Sequence, residues 1–129
     1  MGQFRARSLE LIEEVGLAHL ADKVVGSLAY GQKRALELAL ALALDPSLLL
    51  LDEPTAGMGR EDVDATIALV KKVAKGRAVV FVDHNMHVVG SLADQVTVLQ
   101  QGRILAQGSY EHVRMNDKVI TAYLGHAHA

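Results

Sequence analysis

Leu48 to Gly59 reads "LLLLDEPTAGMG", four leucines running straight into the carboxylate pair Asp52 and Glu53, then a proline and a glycine-containing loop. The apolar run is too short for a helix and long enough for a buried strand, so the two acids fall at a strand's carboxyl end. Acids in that position hold a metal ion or activate a water at a phosphate. An ordinary capping turn ahead of the next helix uses the same residues, so the pair alone decides nothing.

Downstream, strands and helices alternate. Arg60 to Lys75 reads as an amphipathic helix with Val63, Ile67 and Val70 on one face; its acids sit in the first turns, its lysines in the last, and Gly76 follows as a C-cap. "AVVFV", Ala78 to Val82, is a second buried strand, ending at Asp83 and His84. "QVTVLQ" and "RILAQ", parted by Gln101 and Gly102, form a hairpin, and short helices over Ser109 to Met115 and Lys118 to Leu124 close the chain.

Upstream, "QKRALELALALAL" alternates leucine and alanine with the period of a strand, yet it contains no β-branched residue and is rich in strong helix formers. It therefore reads as a helix buried on most sides and stopped by Asp45 and Pro46. Before it, Leu9, Ile12 and Val15 mark one helix and Leu17, Leu20 and Val24 a second, giving an N-terminal helical hairpin. The sum is an α/β fold with a mostly parallel sheet and flanking helices, whose ligands sit at the carboxyl ends of the strands.

Composition fits one domain. The chain has 129 residues, half of them apolar, with a net charge of -2, which provides no electrostatic footprint for nucleic acid. Without cysteine, a disulfide framework and a thiolate zinc site are both excluded, and a cytosolic chain is expected. The greasiest stretch is broken by Glu37, Asp45 and Pro46, short of a membrane span, and the N-terminus has no signal-peptide core.

If the two strands are neighbours, Asp52, Glu53, Asp83 and His84 meet on one rim, a constellation suited to phosphoryl transfer. "SLAYGQKR", Ser27 to Arg34, stands at the amino end of the helix that follows it, where backbone donors and the helix dipole favour an anion. "LAYGQ", a helix, "LLLLDEP" and then "VDHNM" resemble, in order and spacing, the signature motif, the Walker B strand with its catalytic glutamate, and the switch histidine of ATP-binding cassette (ABC) ATPases. With "DEPTAGM" and the tail "VITAYLG", the chain is most similar to ATP-binding subunits of branched-chain amino acid importers, with urea or amide importers close behind.

The resemblance implies ATP and Mg²⁺ as cofactors, with Asp52 coordinating the ion directly or through water, Glu53 as general base and His84 as γ-phosphate sensor. Leu28, Ala29, Tyr30, Gly31 and Gln32 would be the signature closing over an ATP held by a second ATP-binding subunit. Membrane permeases are the other implied partners, with peripheral attachment at the cytoplasmic face. Three departures stand out. Ala29 occupies a position that commonly carries serine, Gly59 one that often carries Asp or Asn, and no G-x-x-x-x-G-K-[ST] occurs, since no Gly precedes a Lys. The implied molecule is thus the C-terminal half of an ABC ATPase: a partial P-loop NTPase core lacking the P-loop strand, with residues 1–30 ending a helical subdomain and 31–129 forming the Walker B and switch-histidine half. Such a gap exposes sheet edges and favours a homo-oligomer. The competing expectation is a non-catalytic interaction module or inactive fragment. Lesser signals are His126 and His128, a candidate metal pair or plain tail; His87, a surface helix residue; and Met58 and Met86, packing residues.

Overall fold

The computed structural model describes residues 2–124. His126 and His128 lie outside that range. Two compact units divide the chain after Asp83.

In the first unit, α1 (Gly2–Glu14) ends at Gly16, whose φ of 77° turns the chain. Two single 3₁₀ turns follow, Ala18–Leu20 and Val25–Ser27, then α2 (Tyr30–Leu42), β1 (Leu48–Asp52), α3 (Arg60–Val73) and β2 (Ala78–Val82). The expected second helix of the opening hairpin is replaced by the 3₁₀ turns. No side chain caps either turn, and Val24, Val25 and Gly26 are poor helix formers. The Ala/Leu segment is a helix, as propensity requires, but it is covered on one side only. Leu38, Ala39 and Leu42 are buried, whereas Leu40 is 67% exposed.

β1 and β2 are parallel neighbours, with Leu48 opposite Ala78 and Asp52 opposite Val82. One face of this pair carries Leu49, Leu51 and Val79 into a core shared with Leu11, Val15, Leu17, Leu38, Leu42 and Val73. The sequence expectation of strands buried on both faces fails on the other face. There Leu48, Leu50, Val80 and Val82 are 49%, 71%, 55% and 65% exposed. Successive side chains alternate sides, so the four form one continuous apolar surface that no element among the described residues covers. β2 pairs with β1 alone, leaving an unpaired strand edge beside it. At micromolar concentration, light scattering should therefore report a mass above the 13.9 kDa of one chain. A monomer with a cooperative melt would refute this.

In the second unit, α4 (Met86–Leu92) precedes a hairpin of β3 (Val96–Gln100) and β4 (Arg103–Gly108), followed by α5 (Tyr110–Arg114) and α6 (Asp117–Leu124). Gln101 and Gly102 have φ of 49° and 75°, the two positive values of a type I′ turn, whose twist suits a tight antiparallel pair. Val98, Ala106, Val113 and Val119 form this unit's core. In place of one mostly parallel sheet, the strands make a parallel pair in the first unit and an antiparallel pair in the second. Gly108 joins β4 to α5 at φ 154°, and a Cβ there would lie 2.9 Å from the His112 ring. Gly108→Ala should destabilise the second unit by about 1–3 kcal/mol, through backbone strain and overpacking together. Thermal unfolding followed by near-ultraviolet circular dichroism measures it, and an unchanged midpoint would contradict it.

Candidate functional site

Asp52 closes β1 as an exposed side chain, and the ladder continues one bond further: the Glu53 N–H donates to the Val82 carbonyl at 2.8 Å. Glu53 itself sits at φ 44°, in the left-handed region. The proline that follows makes this costlier, since a residue before proline is ordinarily extended. A non-glycine residue held there carries strain on the order of 1–3 kcal/mol, which persists only where its surroundings enforce it.

Those surroundings are visible bond by bond. Ala56 N–H donates to the Glu53 carbonyl at 3.0 Å and Met58 N–H to the Thr55 carbonyl at 3.2 Å, winding the loop tightly. Thr55, only 6% exposed, donates through Oγ1 to Asp83 Oδ2 at 3.2 Å, which pins the loop to the end of β2. Met58 Sδ accepts from Thr66 Oγ1 at 3.2 Å, so this methionine anchors the loop to α3, as its reading as a packing residue implies. Thr55 was not singled out by the sequence. Its signal was available only as a small polar residue between two apolar anchors.

At the amino end of α2, Leu28 to Gln32 form a turn in which Gln32 Oε1 accepts from Ala29 N–H at 2.9 Å. This is one half of a capping box. Ala29 has no side-chain acceptor, so the reciprocal bond is missing. Tyr30 Oη donates to the Ala56 carbonyl at 3.0 Å, and its ring lies 3.8 Å from where a Cβ on Gly57 would stand. The turn and the acid loop are thus in direct contact within the first unit. A groove of about 270 Å³ runs between α2, β1 and α3, with Arg34, Glu37, Leu38, Leu50, Asp52 and Thr66 among its walls. Its sides are largely leucine, alanine and valine and carry no glycine-rich stretch, so it is no phosphate cradle.

His84 follows Asp83 directly and opens the second unit. Asn85 caps α4, its Oδ1 accepting from His87 N–H at 3.0 Å and Val88 N–H at 3.4 Å. His87 accordingly belongs to the first turn of that helix.

The ABC transporter family profile matches residues 3–56, and that of the branched-chain amino acid ATP-binding cassette transporter matches residues 103–129. BraF of Pseudomonas aeruginosa, a high-affinity branched-chain amino acid transport ATP-binding protein, is 42% identical over 118 residues, spanning 90% of this chain and 46% of that protein. LivG of Escherichia coli, described in the same words, is 34% identical over 94% of this chain and 48% of its own length. The ADP conformation of MJ1267, an ATP-binding cassette of an ABC transporter, superposes with a TM-score of 0.85 at 28% identity, covering 93% of this chain and 49% of that one. The chain spans about half the length of the relatives it matches, corresponding to their C-terminal portion. It has the α/β fold of the ABC ATPases, and it belongs to the ABC transporter ATP-binding family.

Proposed function

We propose that this chain is the Walker B and switch-histidine half of an ATP-binding importer subunit, which couples ATP hydrolysis to uptake of branched-chain amino acids or a similar small polar solute. The observation that carries the reading is the strained acid loop: Asp52 and Glu53 stand at a strand's carboxyl end, and Glu53, in the left-handed region, is tied to the end of β2 through its N–H and to Ala56 through its carbonyl, while Thr55 bonds Asp83. Strain of this kind is retained where geometry at a reacting atom matters. In this reading residues 1–30 end the helical subdomain and residues 31–129 belong to the catalytic core, which in this sequence contains no Gly-Lys pair.

Magnesium takes one or two carboxylates and completes its shell with water and phosphate oxygens. Asp52, exposed at the strand end, fits that role, and among the described residues there is no cluster of three or more ligating side chains that would hold an ion without phosphate. Bound Mg-ATP would supply the phosphoryl group. Glu53 takes the proton of the attacking water, His84 contacts the terminal phosphate, and the Leu28–Gln32 turn closes on nucleotide held by a second ATP-binding subunit. With Ala29 in place of a hydroxyl residue, that position has only its backbone N–H to offer, and this N–H is already engaged by Gln32.

Permease subunits are the membrane partners in this reading. No helix of the described residues is long and apolar enough to cross a membrane, so attachment would be peripheral, at the cytoplasmic face. The second reading is a non-catalytic module that associates with intact ATPases; the missing Gly-Lys pair favours it for these residues taken alone. Joining the N-terminal half of a related ATP-binding protein ahead of the chain separates the two. Restored steady-state ATP hydrolysis supports the enzyme reading, and a folded, nucleotide-binding but inactive fusion supports the module.

A further inference from the structure

Tyr30 has a position that the motif match does not explain. Its hydroxyl bonds the Ala56 carbonyl at 3.0 Å across 26 residues of sequence, and its ring lies over Gly57, where a Cβ would stand 3.8 Å away. One residue on, a Cβ at Gly31 would lie 3.3 Å from the Asp62 carboxylate in the first turn of α3. The first turn of α2 therefore touches the acid loop at two successive residues and the start of α3 at a third. The same loop is pinned on its other side by Thr55 to Asp83, and its carbonyl-bonded amides at Ala56 and Met58 fix its pitch. Since Glu53 lies in a conformation that a free loop would leave, whatever stiffens Ala56 and Gly57 also holds Glu53.

We propose that Tyr30 is a positioning residue that latches the Leu28–Gln32 turn to the loop after Glu53, so that the two move as one piece and a change at either is transmitted to the other. Its importance for hydrolysis rests on the reading above; the latch itself does not require nucleotide. Coupling between two sites is reciprocal, and a pairwise contact reveals itself as non-additivity in a double-mutant cycle.

Amide hydrogen exchange on the 129-residue chain, without nucleotide, is the test. Tyr30→Phe keeps the ring and removes the hydroxyl. Losing one hydrogen bond should raise exchange at Ala56 and Met58 by roughly threefold to tenfold, with amides at the centre of α2 affected less than these and the thermal midpoint lowered by only a few degrees. Gln32→Ala, which loosens the turn by freeing Ala29 N–H, should also speed exchange at Ala56 and Met58 when Tyr30 is present. In the Tyr30→Phe background it should add nothing there. Retention of the aromatic ring-current shift at Gly57 in Tyr30→Phe, and its loss in Tyr30→Leu, would show that the phenylalanine variant keeps its packing. Unchanged exchange at Ala56 and Met58 in Tyr30→Phe overturns the latch, as does a Gln32→Ala effect at those amides that persists without the hydroxyl. Failure of the chain or its fusion to bind Mg-ATP would instead count against the proposed function and leave these exchange results standing.

Discussion

Titrated with Mg-ATP in the micromolar range, the 129-residue chain should give no calorimetric binding signal. A P-loop supplies a lysine and several backbone donors to the phosphates, and no Gly-Lys pair exists here to do so. Two charge-assisted hydrogen bonds, each contributing about 1.5–3 kcal/mol, correspond to roughly a 10²- to 10⁴-fold loss of affinity relative to a site that has them. Among the described residues, the groove beside Asp52 is no substitute cradle: it is walled mainly by aliphatic side chains, and Ala29 N–H is already donated to Gln32. A micromolar dissociation constant would mean that another part of the chain grips phosphate.

The second large effect is at Glu53. In a fusion that restores ATP hydrolysis, Glu53→Gln should reduce the steady-state rate by about 10²- to 10⁴-fold, the range of a lost general base. The substitution preserves shape and removes the proton-accepting charge, so folding should be unaffected. Activity that survives it would transfer the base to another residue. Glu53→Gly makes the complementary comparison. Glycine adopts the left-handed region freely, so this variant should gain about 1 kcal/mol of folding stability from released strain while losing the carboxylate. A more stable and inactive Gly variant beside an equally stable and inactive Gln variant would separate strain from chemistry.

How much of this was legible in the sequence depends on whether the cause was local. The α3 helix, with its terminal charges, the Ala78–Val82 strand and the two-residue hairpin turn each have their reason within a few residues, and all occur where periodicity and turn chemistry place them. Leu48 to Leu51 misled in one respect. A run of four leucines reads as buried on both faces, yet burial depends on what covers them, and Leu48 and Leu50 have no cover among the described residues. The segment from Leu17 to Val24 misled for another reason: helical spacing does not outweigh the lack of a capping side chain and the poor helix formers Val24, Val25 and Gly26. At the site, the acid pair could be placed at a strand end from the sequence. Its fixing by Thr55 to Asp83 and Tyr30 to Ala56 could not, because those bonds join residues 28 and 26 positions apart and no local pattern links the partners.

The contrast between the two strand pairs bears on how the molecule acquires its shape. β3 meets β4 across two residues, a closure on the microsecond scale of hairpins, whereas β1 meets β2 in a parallel register thirty residues apart, with α3 formed in between. On a ribosome, β1 emerges first and waits, its leucines without a partner, until Ala78 to Val82 has been made. At about 5–20 residues per second, that interval lasts a few seconds. A substitution that weakens α3 on its exposed face, such as Ala68→Gly, would lengthen the wait and lower the yield of folded chain during synthesis, at a cost of only about 1 kcal/mol to the finished protein.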